Sequence, residues 1–382
     1  MRYAQSGRAS LSRSALLFLV TTVACSFDDP TSPGTGDELP GAHGATAAVL
    51  SQPVKQLSNK FAYVFANLPS WWAYTPDSTR SYNATGGAIR IQRLTPGSYQ
   101  VEFDSRAGWG GGTLGFALTA YGMSPILCSL VGHSLDPTGL TLRVNVSCHL
   151  TTTLQPVDAY FTLLVVGSGS LMPRSAFAFG DQPSAPSYTP NPLASYTSSL
   201  GSINVTRSGA GIYGVDLATG QVSGSTVMVN AQAGFWNLCK VGQWKHTDTE
   251  VRCFDHSGAP HDATFWTLQV DGGRPGRRLG FAFADKSTTS AYTPNLRYSF
   301  NSSGGAITAF RTSVGRYHIE FDGLQKLSGH TETVHVTPWG TGPTACHVSG
   351  WGNGGGHLWV NVECRRLNGN LVDTRYNVLV IE

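Results

Sequence analysis

The sequence predicts an all-β protein: three tandem antiparallel β-sandwich domains, immunoglobulin-like or jelly-roll-like, each with one disulfide. Three observations carry that prediction. The 382 residues include 45 glycines, nearly twice the usual roughly 7%, and only 13% charged side chains. Val, Thr, Ser, Tyr and Phe recur in short runs, and no long segment has helical periodicity. The tripeptide Tyr-Thr-Pro occurs three times, from Tyr74, Tyr188 and Tyr292, each time followed by Asp or Asn and set in the same order of features.

That order defines the repeats. An aromatic-Ala-aromatic strand start precedes each tripeptide: Phe61-Ala62-Tyr63, Phe177-Ala178-Phe179 and Phe281-Ala282-Phe283. A hairpin follows. Alternation puts Tyr99, Val101 and Phe103 on one face. Pairing Ile89 with Phe103, Ile91 with Val101 and Arg93 with Tyr99 leaves a loop at 94–98, and the same register aligns Arg207 with Tyr213 and Arg311 with Tyr317. We read each Arg as lying on its Tyr, a cation–π contact at the loop end. Two cysteines come next, and each repeat closes on Asp-x-x-aromatic from Asp158, Asp262 or Asp373 before an apolar run. The repeats are 58–167, 175–270 and 277–382, with linkers at 168–174 and 271–276. We expect them as beads on a string rather than packed about a pseudo-threefold axis. Within Tyr-Thr-Pro-Asn, Pro presets φ for a turn, Asn or Asp caps it, and Tyr tucks into the sandwich end.

The N-terminus reads as an export signal over 1–24, with Arg2, Arg8 and Arg13 ahead of the apolar stretch Ala15–Val23. Thr22-Val23-Ala24-Cys25 resembles a bacterial lipobox, which implies lipid on Cys25; plain secretion is the alternative. Residues 25–57, rich in Ser, Pro, Gly and Asp, read as a flexible tether. Removing 1–24 takes away three arginines and no acid, leaving 23 of the 26 basic side chains against 23 acids. Nothing in that balance offers a footprint for nucleic acid.

The other six cysteines fall two per repeat: Cys128 and Cys148, Cys239 and Cys253, Cys346 and Cys364. Pairing within repeats is the simplest of fifteen arrangements, closing loops of about 15–21 residues for roughly 3 kcal/mol each. Metal binding is disfavoured, since CxxC spacing and a repeated His partner are lacking. No cofactor is expected. "DHSGAPHD" (Asp255–Asp262) has no histidine in its counterparts and reads as a polar turn; Glu102, Asp216 and Glu320 read as solvated acids on an outer strand face.

Aromatic residues are the binding candidates. His133, Trp244 and Trp351 each lie five residues after the first Cys of a pair, where we place them at the mouth of the disulfide loop; Phe235, Trp236 and Trp339 lie nearby, and Trp71-Trp72 occupy the loop before the first Tyr-Thr-Pro. Exposed Trp stacks on sugars and anchors protein partners; the structural reading is a lid over the sandwich ends. The repeat pattern resembles a widespread, uncharacterised type of bacterial secreted β-repeat, best seen from Phe281 to Val380, and "SVGRYHIEF" is similar to a segment of trimeric phage tail-fibre tips. Neither resemblance implies an activity. The expected role is a non-enzymatic envelope lipoprotein, at the outer membrane or cell surface or else secreted, binding an extracellular or periplasmic glycan or protein with three-fold avidity. It would touch the membrane only through its lipid. A spacer without a ligand, or an exported enzyme with one site, are the alternatives.

Overall fold

A computed structural model describes residues 60–170, 175–199, 201–220, 224–232, 236–244, 248–272 and 278–382. The signal, Cys25, the tether, Phe235 and parts of both linkers lie outside the described residues. Each repeat is a β-sandwich with nine strands and one disulfide. The inner layer of repeat 1 pairs Leu114–Tyr121, Tyr160–Gly167, Phe61–Ala66 and Tyr82–Asn83; its outer layer pairs Ile126–Leu135, Thr141–Leu150, Ser98–Ser105, Gly86–Thr95 and Ala73–Tyr74. Repeats 2 and 3 repeat this order.

The two layers are built from different sequence. Outer strands alternate: in Ser98–Ser105 the residues Tyr99, Val101, Phe103 and Ser105 are buried and their neighbours are half-buried. Inner strands are buried on both faces, as in Phe61–Ala66, because their far side faces the other repeats. The expected hairpin registers hold: Ile89 faces Phe103, Val205 faces Val215 and Ile307 faces Phe321. The first loop is tighter than expected, since Thr95 pairs with Ser98 beyond a bulge. One alignment shifts by two residues. Tyr63, not Phe61, matches Phe177 and Phe281, since Tyr63 pairs with Tyr82 as Phe177 pairs with Tyr196 and Phe281 with Phe300.

The beads-on-a-string expectation is overturned. The described residues all fall in one compact unit, and each nine-stranded sheet joins the outer layer of one repeat to the inner layer of another. The junctions are parallel bridges: Leu130 to Gln232, Val241 to Trp339 and Val348 to Tyr121. Repeat 1 thus runs into 2, 2 into 3, and 3 back into 1. The innermost strands close a second ring. Asn230 of repeat 2 bonds both backbone groups of Leu118 in repeat 1. The Thr119 hydroxyl accepts from Val336 N–H of repeat 3 at 3.1 Å, and Thr337 Oγ1 donates to Val229 O of repeat 2 at 3.3 Å. Leu118, Val229 and Val336 are equivalent positions, each three residues before its junction residue.

The three disulfides are directly opposed cross-strand pairs with Cα atoms 4.1 Å apart, and Cys128, Cys239 and Cys346 surround a small axial cavity of about 30 Å3. They mark a chain that folds in an oxidising compartment, extracellular or periplasmic. Among the described residues no helix is long and apolar enough to cross a membrane.

Candidate functional site

The recurrent polar residues assemble into one structural device per repeat. Asp373 Oδ1 accepts from Arg311 Nε at 3.0 Å, from Gly315 N–H at 2.9 Å and from Tyr317 Oη at 3.1 Å; Tyr317 Oη in turn accepts from Thr374 N–H. Asp158 holds Arg93, Gly97 and Tyr99 the same way, and Asp262 holds Arg207, Gly211 and Tyr213. The hydrogen bond from Arg311 leads in holding the Asp373 carboxyl below the usual range, with Gly315 and Tyr317 adding to it against burial. The cation–π reading of the Arg–Tyr pairs is therefore corrected: the guanidinium is tied to the closing Asp. The knot welds the hairpin loop to the last strand. It is a fastener, present in all three repeats.

The other polar candidates resolve locally. Asp255 Oδ1 caps its own turn through Ser257 and Ala259 N–H, while Asp262 belongs to the knot. Glu102 and Glu320 are not lone acids: Glu102 lies between Arg90 and Arg143, and Glu320 between His318 and His357. Arg90, Arg143 and His357 come from neighbouring strands, and His318 from two residues away on the strand of Glu320 itself. In the Tyr-Thr-Pro turns the capping reading is correct. Asp77, Asn191 and Asn295 each accept from the N–H two residues on, the prolines are buried, and the tyrosines are half-buried.

His133, Trp244 and Trp351 do not form the exposed set expected of them. Each follows a bulge in an outer strand, beside the junction with the next repeat. Trp351 is 2% exposed, with ring centroids 5.0 Å from Phe65 and 5.4 Å from Tyr121 of repeat 1, under the Arg80 guanidinium. Trp244 is half-buried against Phe283 and Tyr298 of repeat 3. At the third junction the smaller His133 stands in the Trp position. It is exposed, yet its ring rests on Phe116 and near Trp266. Trp266 of repeat 2 fills the space, stacked on Phe179 at 4.9 Å. Two Trp positions are thus inter-repeat locks, and the reading of them as ligand anchors is corrected. Repeats 2 and 3 are bolted further by Lys240, fully buried, whose ammonium donates to Gly342 O and Thr344 Oγ1.

Trp71 and Trp72 are different. They are 59% and 64% exposed, and neither ring has an aromatic or cationic partner among the described residues. Their backbone is anchored on both sides: Trp71 N–H donates to Leu68 O at 3.1 Å, and Arg93 N–H donates to Trp72 O at 2.9 Å. The same two bonds recur in repeat 2, at Ala185 and Pro186, and in repeat 3, at Thr289 and Ser290. The turn thus folds with Ala-Pro or Thr-Ser, and nothing in it requires two indoles. Exposed Leu94 and Gln92 lie on the neighbouring strand, with Arg90 beyond them.

No family model, curated protein or solved structure matches this chain.

Proposed function

We propose that the protein is an exported, non-enzymatic envelope protein, lipid-anchored at Cys25, that binds a glycan through Trp71 and Trp72 of repeat 1. One observation carries the reading: the same backbone turn exists three times, and only one copy spends two exposed tryptophans on it. An indole presents a flat apolar face to the C–H side of a sugar ring. The anchored backbone holds both rings ready, which lowers the ordering cost of binding. The flanking groups are polar, and the exposed apolar area, two rings and Leu94, is small beside the roughly 800 Å2 per partner of a stable protein interface. A sugar fits that balance better than a protein surface does.

This reading has one site, so it drops the avidity expected from three copies. The test is an array of bacterial envelope glycans probed with protein lacking 1–24. Binding is expected to fall at least about ten-fold in Trp71→Ala/Trp72→Ala with unchanged thermal stability. Undiminished binding by the double variant rejects the site. A second reading, a spacer without a ligand, is favoured by the burial of Trp351 and predicts a blank array. Metabolic labelling with a fatty-acid analogue tests the anchor: label is expected on the wild type and absent from Cys25→Ser.

A further inference from the structure

The pseudo-threefold packing creates three equivalent clefts, where the short inner edge strand of one repeat meets the start of another repeat's innermost strand. One is shut. There Phe300 of repeat 3 packs on the bare backbone of Gly272, and Gly224 N–H bonds Arg297 O at 2.6 Å. The other two are open, and both have Tyr in the place of Phe300: Tyr82 in repeat 1 and Tyr196 in repeat 2. The cleft at Tyr196 has no charged lining residue, and its Tyr is 7% exposed.

We propose that the cleft between repeats 1 and 3, floored by Tyr63 and Tyr82, binds a neutral hydroxyl-rich ring ligand of monosaccharide size. It encloses about 620 Å3, within the range of small-molecule sites, which favour domain interfaces. Tyr82 shows 39% of its surface there, beside the ring of Tyr63. The polar rim is held in place before any ligand arrives. The Arg278 guanidinium is fixed by Gly323 O at 2.7 Å, Gln325 O at 3.1 Å and Glu382 at 3.1 Å. Glu382 also receives Leu327 N–H at 2.9 Å and His330 at 3.3 Å, and Tyr63 Oη is bonded to Thr331. Arg278 is paired with Glu382, and His330 turns to the same carboxylate, so the guanidinium charge is matched within the rim. The lining presents the exposed part of Tyr82, fixed donors and acceptors, and the hydroxyl of Ser78. Those are the contacts a sugar ring uses.

This cleft is separate from the Trp71–Trp72 platform, and the experiment keeps the two apart. Saturation-transfer NMR would be run with a panel of free neutral monosaccharides. Transfer to at least one sugar is expected. It should drop several-fold in Tyr82→Ala and in Ser78→Trp, which fills the cleft from an exposed loop, and persist in Trp71→Ala/Trp72→Ala. No transfer to any sugar overturns the proposal. So does transfer that survives a folded Ser78→Trp, or transfer lost with the tryptophan pair.

Discussion

Gly315 shows how little freedom the knot leaves a single residue. Its φ is +66°, and an added Cβ would lie 2.6 Å from the carbonyl oxygen of Cys364, while its N–H is one of the bonds to Asp373. Gly315→Ala is expected to cost about 1–3 kcal/mol from the backbone alone, read as a lower urea midpoint. Buried histidines set the acid limit. Burial pushes His335 down to about 3 and His149 down to about 4, and the Nδ1 of each has no hydrogen-bond partner among the described residues. The unfolded chain takes up these protons near pH 6.5 and the native one does not. The stability they permit is therefore complete above pH 6.5 and declines as pH falls, over 6.5 to about 4 for His149 and on to about 3 for His335. The expected slope is about 1.4 kcal/mol per pH unit for each imidazole. Glu363, held near 2 because bonds from His347, Arg316 and Arg365 outweigh burial, adds a loss only at lower pH. Urea midpoints between pH 7 and 5 should fall in the wild type and flatten in His335→Leu/His149→Gln; a flat wild-type profile would refute this. At this scale the Arg–Tyr register was legible from alternation. The third member was not: Asp158 lies 65 residues from Arg93, although both recur in every repeat.

Among elements, the contrast is between strands with one buried face and strands with two. Outer strands alternate and announce themselves. Inner strands such as Leu114–Tyr121 and Arg375–Ile381 are buried almost throughout, and their continuous apolar runs were the available sign that a second layer covers them. The junction aromatics follow the same logic. Trp351→Ala should cost about 3–5 kcal/mol by emptying the contact among Phe65, Tyr121 and Arg80, lowering Tm without touching ligand binding. Trp71→Ala/Trp72→Ala should do the reverse. If Trp351→Ala leaves Tm unchanged, the lock reading fails.

At the scale of the molecule, each sheet needs two repeats, so no repeat is whole by itself. The protein trimmed to 58–382 should scatter as a single compact particle with a radius of gyration of about 20 Å. Three beads in a row would give a clearly larger value. Unfolding should be one cooperative transition. Repeat 3 expressed alone, as 277–382, exposes its inner face and two sheet edges and is expected to aggregate or to form a trimer. A folded monomer in the ultracentrifuge would contradict the mutual dependence of the repeats.

The sequence by itself determined what is local or repeated: strand periodicity, hairpin register, the three-fold frame, the pairing of cysteines two by two, and the capped Tyr-Thr-Pro turns. Each follows from spacing within about 100 residues of chain. Tertiary structure alone decided which faces meet. It turned the beads into a ring, converted Trp244 and Trp351 from candidate ligands' anchors into locks, and left Trp71 and Trp72 in solvent. The physical reason is that an indole reads the same in sequence whether its partner is water, a sugar or another repeat. Only the position of one repeat against the next settles which.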